Sequence, residues 1–187
     1  MTSLDQPARL RPLDAARAEL HRQRLRVAAV AAGLSAAAFD ARPSPSVARA
    51  IAGQGHFSAY DVEVRWSARL VVGHLGDSAR VFAERIHRVR TEEGPVLADF
   101  VTDEEVRIDR YLASDLRELV DGLEAAQDLL ESALAEAHPV ELARGATHEL
   151  DGPLTLGDIV AFLPGHQRDH ADQLSLLAGQ DDQVTRT

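Results

Sequence analysis

His166 and His170 stand four residues apart in the stretch Leu154–Leu177, a spacing that can serve chemistry. Side chains at i and i+4 of a helix project from one face about a turn apart, as two imidazole ligands of one metal ion must. The stretch is helical by pattern, because Leu156, Ile159, Val160, Leu163, Leu174 and Leu177 recur at helical intervals. Both histidines fall in that apolar stripe. Thr155 with Asp158 reads as a capping box opening the helix. Pro164 removes a backbone donor and crowds the carbonyl of Val160, so a kink or short break is expected just before His166.

A third imidazole comes from Ser67–Arg90. There Leu70, Val71, His74, Ser78, Val81, Phe82, Ile86 and Val89 share one helical face. Three inward histidines with few evident polar partners are expensive, since an unpaired buried polar group costs about 1–3 kcal/mol. A divalent metal ion removes that cost, and three neutral nitrogens with an open position make a catalytic type of site. His74, His166 and His170 are therefore the candidate ligands. Asp77, three residues after His74, reads either as a carboxylate orienting that imidazole or as an ordinary surface acid. His56 and His148 lie in loop-like stretches that could face the site, and each also reads as a plain loop histidine. His21 and His87 read as solvated, and His138 suits a helix C-terminus.

Several chemistries are excluded. HQRDH places its histidines as HExxH does, but Gln167 stands where a zinc protease carries its glutamate, and an amide cannot accept a proton. No GxSxG motif occurs, and the absence of cysteine removes thiolate ligands, disulfides and a cysteine nucleophile. The formal charge of −10 disfavours nucleic acid as a partner. All 20 basic residues are Arg, a coding bias expected of a GC-rich bacterium. No apolar run reaches membrane-span length and the start has no signal-peptide core, so no membrane association is expected and the expected location is cytoplasmic.

The elements that must position the histidines are helices. Apolar residues make up 45% of the chain but aromatics only 4%, so Leu, Val and Ala must form the core, which favours helix packed on helix. The periodic segments predict an all-α four-helix bundle, with helices near 13–39, 67–92, 103–138 and 155–178. One domain over 1–187 is expected, ordered from about residue 13 to 178, with a loose lead-in over 1–12 and a frayed tail from Gly179. Pro43 and Pro45 end the first helix, Gly94–Pro95 the second, and Thr102 with Glu105 reads as a capping box for the third. Between them a short helix over Val47–Ala52 and an extended DVEVRW are expected, in a connection long enough to cover a site. Residues 139–154 read as a loop.

With these residues placed, the chain resembles the DinB/YfiT-like family of four-helix-bundle metalloproteins. The likeness lies in WSARLVVGHLGDSARVFAERIHRV (Trp66–Val89) and GPLTLGDIVAFLPGHQRDHADQLSLL (Gly152–Leu177). The resemblance implies metal ligation by His74, His166 and His170, with zinc or nickel as the ion, a small-molecule substrate and a homodimer. Some members resemble S-transferases that use a low-molecular-weight thiol, mycothiol or bacillithiol; others resemble metal-dependent hydrolases. A non-catalytic, stress-associated metal-binding protein is the further alternative. Pro164 and Gln167 depart from the family's usual pattern.

Overall fold

A computed structural model describes residues 12–184. Four long helices form the bundle: α1 (Pro12–Gly33), α4 (Ala68–Thr91), α6 (Leu116–Glu136) and α7 (Leu156–Val184). Helix α4 packs on α6 and α7, and α1 closes the bundle against α7 and α6. The core is aliphatic at one end, with Leu20, Ile86, Leu130 and Leu163 fully or nearly fully buried. At the other end Phe39 and Trp66 join Val71, Leu75, Leu174 and Leu177.

The helices differ in their limits from the sequence expectation, and each difference has a local cause. The first long segment divides at Leu34–Ser35, where Ser35 caps a short α2 (Ala36–Asp40) by accepting from the Ala38 amide. The third divides into α5 (Glu105–Ala113) and α6, because Asp115 and Glu118 form a reciprocal capping box that starts a new helix. The Thr102–Glu105 box is not formed: Glu104 is the N-cap of α5 and makes no side-chain cap bond. The Thr155–Asp158 box does form, Thr155 Oγ1 accepting from the Asp158 amide and Asp158 from the Thr155 amide. Pro164 does not break α7, which runs on through it and past Gly179 to Val184. The expected lead-in falls almost wholly on residues 1–11, outside the described residues, as do residues 185–187.

Two connections are more structured than their sequences suggest. Residues 40–67 hold α3 (Pro45–Ala52) and two 3-10 turns, His56–Ser58 and Asp61–Arg65. The second turn replaces the expected extended DVEVRW. A strand would put Val62 and Val64 on one face and Glu63 on the other; instead Glu63 and Val64 are buried and Val62 is exposed. The other connections pair into a small sheet of β1 (Val96–Leu97), β2 (Gly145–His148) and β3 (Gly152–Thr155). Here β1 runs parallel and β3 antiparallel to β2, with Val96 opposite Thr147 and Gly145 opposite Thr155. Gly152, at φ +79°, supplies the left-handed residue that the β2–β3 turn needs.

Helix α5 is fastened to α4 around Tyr111, whose backbone carbonyl also accepts from Arg69 at 3.1 Å. Gly73 leaves room for the Tyr111 ring, so close that a Cβ there would lie 2.5 Å from it. The Tyr111 hydroxyl donates to Asp77 Oδ2 at 2.7 Å, and Arg107 and Arg110 pair with the same carboxylate. Gly73→Ala should therefore lower unfolding stability by about 1–3 kcal/mol, because the ring must move out of a packed position. Urea titration of that variant beside the native chain measures the loss, and equal midpoints would contradict the packing described.

Candidate metal centre

Helix α4 carries His74 and α7 carries His166 and His170 into the same buried volume between the helices. The Nε2 atoms of His74 and His166 lie 3.2 Å apart. Two imidazole nitrogens bound to one tetrahedral zinc, each roughly 2.0–2.1 Å from it, sit at nearly that separation. The rings of His166 and His170 are 4.7 Å apart, and those of His74 and His170 4.8 Å. The three candidate imidazole rings are thus neighbours, though no single group of mutually close ligand atoms contains all three.

It also adds two residues that helical periodicity did not mark. Glu63, on the second 3-10 turn, is fully buried. His56, from the first turn, reaches Glu63 Oε2 through Nε2 at 3.1 Å and packs its ring 5.4 and 5.1 Å from those of His166 and His170. Two donor triads result, His56–His166–His170 and Glu63–His74–His170, each with its ligand atoms within 4.8 Å of one another. They share His170. In the sequence Glu63 stands between two valines in DVEVRW, where no helical period marks it for burial.

The tautomer of His170 follows from its neighbours. Gln173 Nε2 donates to the Glu63 carbonyl at 2.7 Å, which turns its Oε1 toward His170 Nδ1 at 2.9 Å. Nδ1 therefore carries the proton, and Nε2 is a bare lone pair. That lone pair has no hydrogen-bond partner and faces Glu63 Oε2 at 3.6 Å, while Glu63 Oε1 has no partner either. Burial, opposed by Glu63 and reinforced by His56, pushes His170 down to about 4, so no proton fills the gap at neutral pH. Two electron-rich atoms facing each other at a buried site favour a cation beside them, one that the neighbouring imidazoles could hold with Glu63 at its side. His74 and His166 are also held well below the ordinary histidine range, first by burial and then by the neighbouring imidazoles. All three are neutral at pH 7, the form in which imidazole ligates.

Asp77 does not orient His74. Its carboxylate is taken up by Arg107, Arg110 and Tyr111, so it anchors α5 instead. Trp66 and Phe100 flank His74, with ring centroids 5.1 and 5.7 Å away. His148, on β2, lines the wall of the cavity that opens onto the cluster, whereas His21, His87 and His138 are exposed and lie outside it. This cavity, of about 500 Å³, has His56, Glu63, His74 and His166 among its lining, and Tyr60, Phe82 and Phe162 give it aromatic walls.

Residues 19–174 match the sequence model of the DinB superfamily. The chain belongs to that superfamily. No curated protein matches it in sequence. Among solved structures it is similar to YfiT from Bacillus subtilis, described as a probable metal-dependent hydrolase with an unusual four-helix bundle topology. The likeness covers 97% of this chain and 94% of that one, at a TM-score of 0.73 and 15% identity, and so concerns the fold. Among the described residues no helix is long and apolar enough to cross a membrane.

The depressed imidazoles set a pH dependence for the metal-free protein. Unfolded histidines protonate near 6.5 while the buried ones resist until far lower, so the unfolded chain binds more protons as pH falls. Stability should be level above pH 7 and fall between about 6.5 and 4, with roughly two to three protons taken up on unfolding near pH 5.5. Chelator-treated protein titrated with urea across this range tests it; a profile without that fall would show that the imidazoles are not buried neutral.

Proposed function

We propose that His74, His166 and His170 hold one divalent ion, zinc or nickel, and that the protein hydrolyses a small-molecule substrate in the cavity above them. The observation carrying this reading is the bare Nε2 of His170 set against the buried Glu63 carboxylate. An imidazole donor set suits zinc and nickel. When bound, such an ion acts as a Lewis acid, lowering the pKa of a nucleophilic water or thiol and polarising the bond under attack.

The chain's own groups do the rest. Glu63 Oε1 has no partner and can take the proton that an attacking water gives up, then return it to the leaving group. His56 donates to Oε2 and so holds the carboxylate in place. Gln173 keeps His170 in the ligating tautomer. The rings of Trp66, Phe57 and Phe100 exclude water around the imidazoles. Glu63 supplies the base that Gln167 cannot, which favours hydrolysis. Transfer to the thiol of mycothiol or bacillithiol rests on the family resemblance alone and does not require a protein base.

Metal analysis of untagged protein, combined with ester and amide hydrolysis assays, separates these roles. His170→Ala should lose stoichiometric metal and the metal-dependent rise in melting temperature, because an ion that binds only the native state stabilises it. His138→Ala should change neither. Equal metal content in the native chain and in the His74, His166 and His170 variants would reject the ligand set.

Glu63→Gln should keep one equivalent of metal and lose about 100-fold or more of the hydrolytic rate, the usual share of a general base. If that variant hydrolyses normally, or if only conjugation of monochlorobimane with an added thiol depends on His166, hydrolysis gives way to thiol transfer.

A further inference from the structure

Arg85 lies on α4 eleven residues beyond His74, roughly 16 Å of helix rise, and its side chain enters the same cavity. Long helical side chains lean toward the N-terminus, which carries the guanidinium back toward the histidines. One nitrogen, Nη2, donates to the Ala98 carbonyl at 2.6 Å and to His148 Nε2 at 3.1 Å. Neither acceptor is charged. The Nε–H and the Nη1 hydrogens have no protein acceptor among the described residues, and no carboxylate lies within salt-bridge distance of the group.

The nearby acids are drawn to His148 instead. Asp151 Oδ2 is 3.1 Å from His148 Nδ1, and Asp99 Oδ1 is 3.8 Å from Nε2. His148, itself buried, therefore stands as a hydrogen-bonded post beside Arg85, with Asp151 on its other nitrogen. Burial lowers the affinity of Arg85 for its proton more than Asp99 and Asp151 restore it, which marks a cation short of compensation.

We propose that Arg85, set by His148, is a carboxylate-binding subsite, so that the substrate is a small organic acid with an apolar body. The acid end pairs with the free Nη1 hydrogens of the guanidinium, a charge-assisted contact. The body lies along the aromatic wall: Arg85 stacks over Phe82 at 5.3 Å, and Phe162 is 5.6 Å from Phe82 and 5.4 Å from His166. Phe162 is 43% exposed, an aromatic face open for such a body to cover. The far end of the molecule then reaches Glu63 and the histidines. The inference rests on the hydrolase reading for what happens at that far end, but the subsite itself needs no ion.

The probes are 4-phenylbutyrate, 4-phenylbutanamide and 4-phenylbutylamine, three molecules alike except in end-group chemistry and charge. Each is titrated calorimetrically into chelator-treated protein and into zinc-loaded protein. In both forms the acid should bind about tenfold or more tighter than the amide and the amine. Arg85→Gln should abolish that preference and Arg85→Lys keep part of it, with melting curves confirming that both variants fold.

The comparison of the three probes on the native chain holds even if a variant does not fold. The cavity lining also carries Asp61, Asp103 and Asp158, and tightest binding of the amine would show that these acids, with Asp99 and Asp151, govern it and would overturn the proposal. So would an acid preference that survives Arg85→Gln, or one seen only with zinc present, which would place the carboxylate on the ion. No binding of the acid up to millimolar concentration overturns it as well. A chain that binds no metal yet prefers the acid through Arg85 would retain this subsite while losing the hydrolase reading.

Discussion

The contact of His170 with Glu63 constrains most of what surrounds it. A lone pair and a carboxylate oxygen face each other at 3.6 Å, buried behind the wall of the cavity. Left to themselves they repel, and each unpaired atom carries a desolvation cost of about 1–3 kcal/mol. The structure holds them there by other means. Gln173 ties the imidazole of α7 to the backbone carbonyl of Glu63, so the helix and the 3-10 turn are positioned by one side chain. His56 ties the carboxylate to the preceding turn. Phe57, Ile51 and Val64 form the small apolar cluster that presses both turns onto the bundle. Such an arrangement gives up stability at one point to hold a set of electron-pair donors ready.

How much of this could be read from the sequence depends on whether a residue sits in a periodic element. His74, His166 and His170 recur in phase with leucine and valine, so their burial and approach follow from the helical repeat. Glu63 and His56 sit on 3-10 turns of three to five residues, too short to show a period, and their positions are set by α3 and the bundle wall. Asp77 shows the opposite failure. Its spacing from His74 suited an orienting carboxylate, but the nearby face of α4 is claimed by α5, whose arginines and tyrosine cannot be placed from local sequence.

The helix limits teach the same lesson. A run of leucines hides the break at Ser114, whereas the Asp115–Glu118 pair, a cap of the same type as those singled out, marks it. Pro164 does not interrupt α7. A single proline forfeits one helical bond, and the buried stripe of Ile159, Val160, Leu163, Ala171 and Leu174 on both sides of it keeps α7 continuous. The small sheet was hidden because each of its strands has only two to four residues, and β1 and β2 are paired across about fifty residues of chain.

The division of labour between helices and connections bears on how one bundle can serve several reactions. Three imidazoles on two packed helices fix where an ion would lie, and that placement depends on packing that tolerates little change. The carboxylate, the cation and the aromatic walls come from elsewhere: Glu63 and Tyr60 from the 3-10 segment, His148 from the hairpin, and Arg85 and Phe162 from outlying turns of α4 and α7. A connection can change its sequence without disturbing the core. On the proposed reading, exchange of DVEVRW for a stretch without an acid would leave the three histidines in place and remove the base, so that only an already ionised nucleophile such as a thiolate would serve. On the proposed reading the shared fold would set the electrophilic end of the chemistry, and the segment from His56 to Trp66 would decide which nucleophile this chain can use.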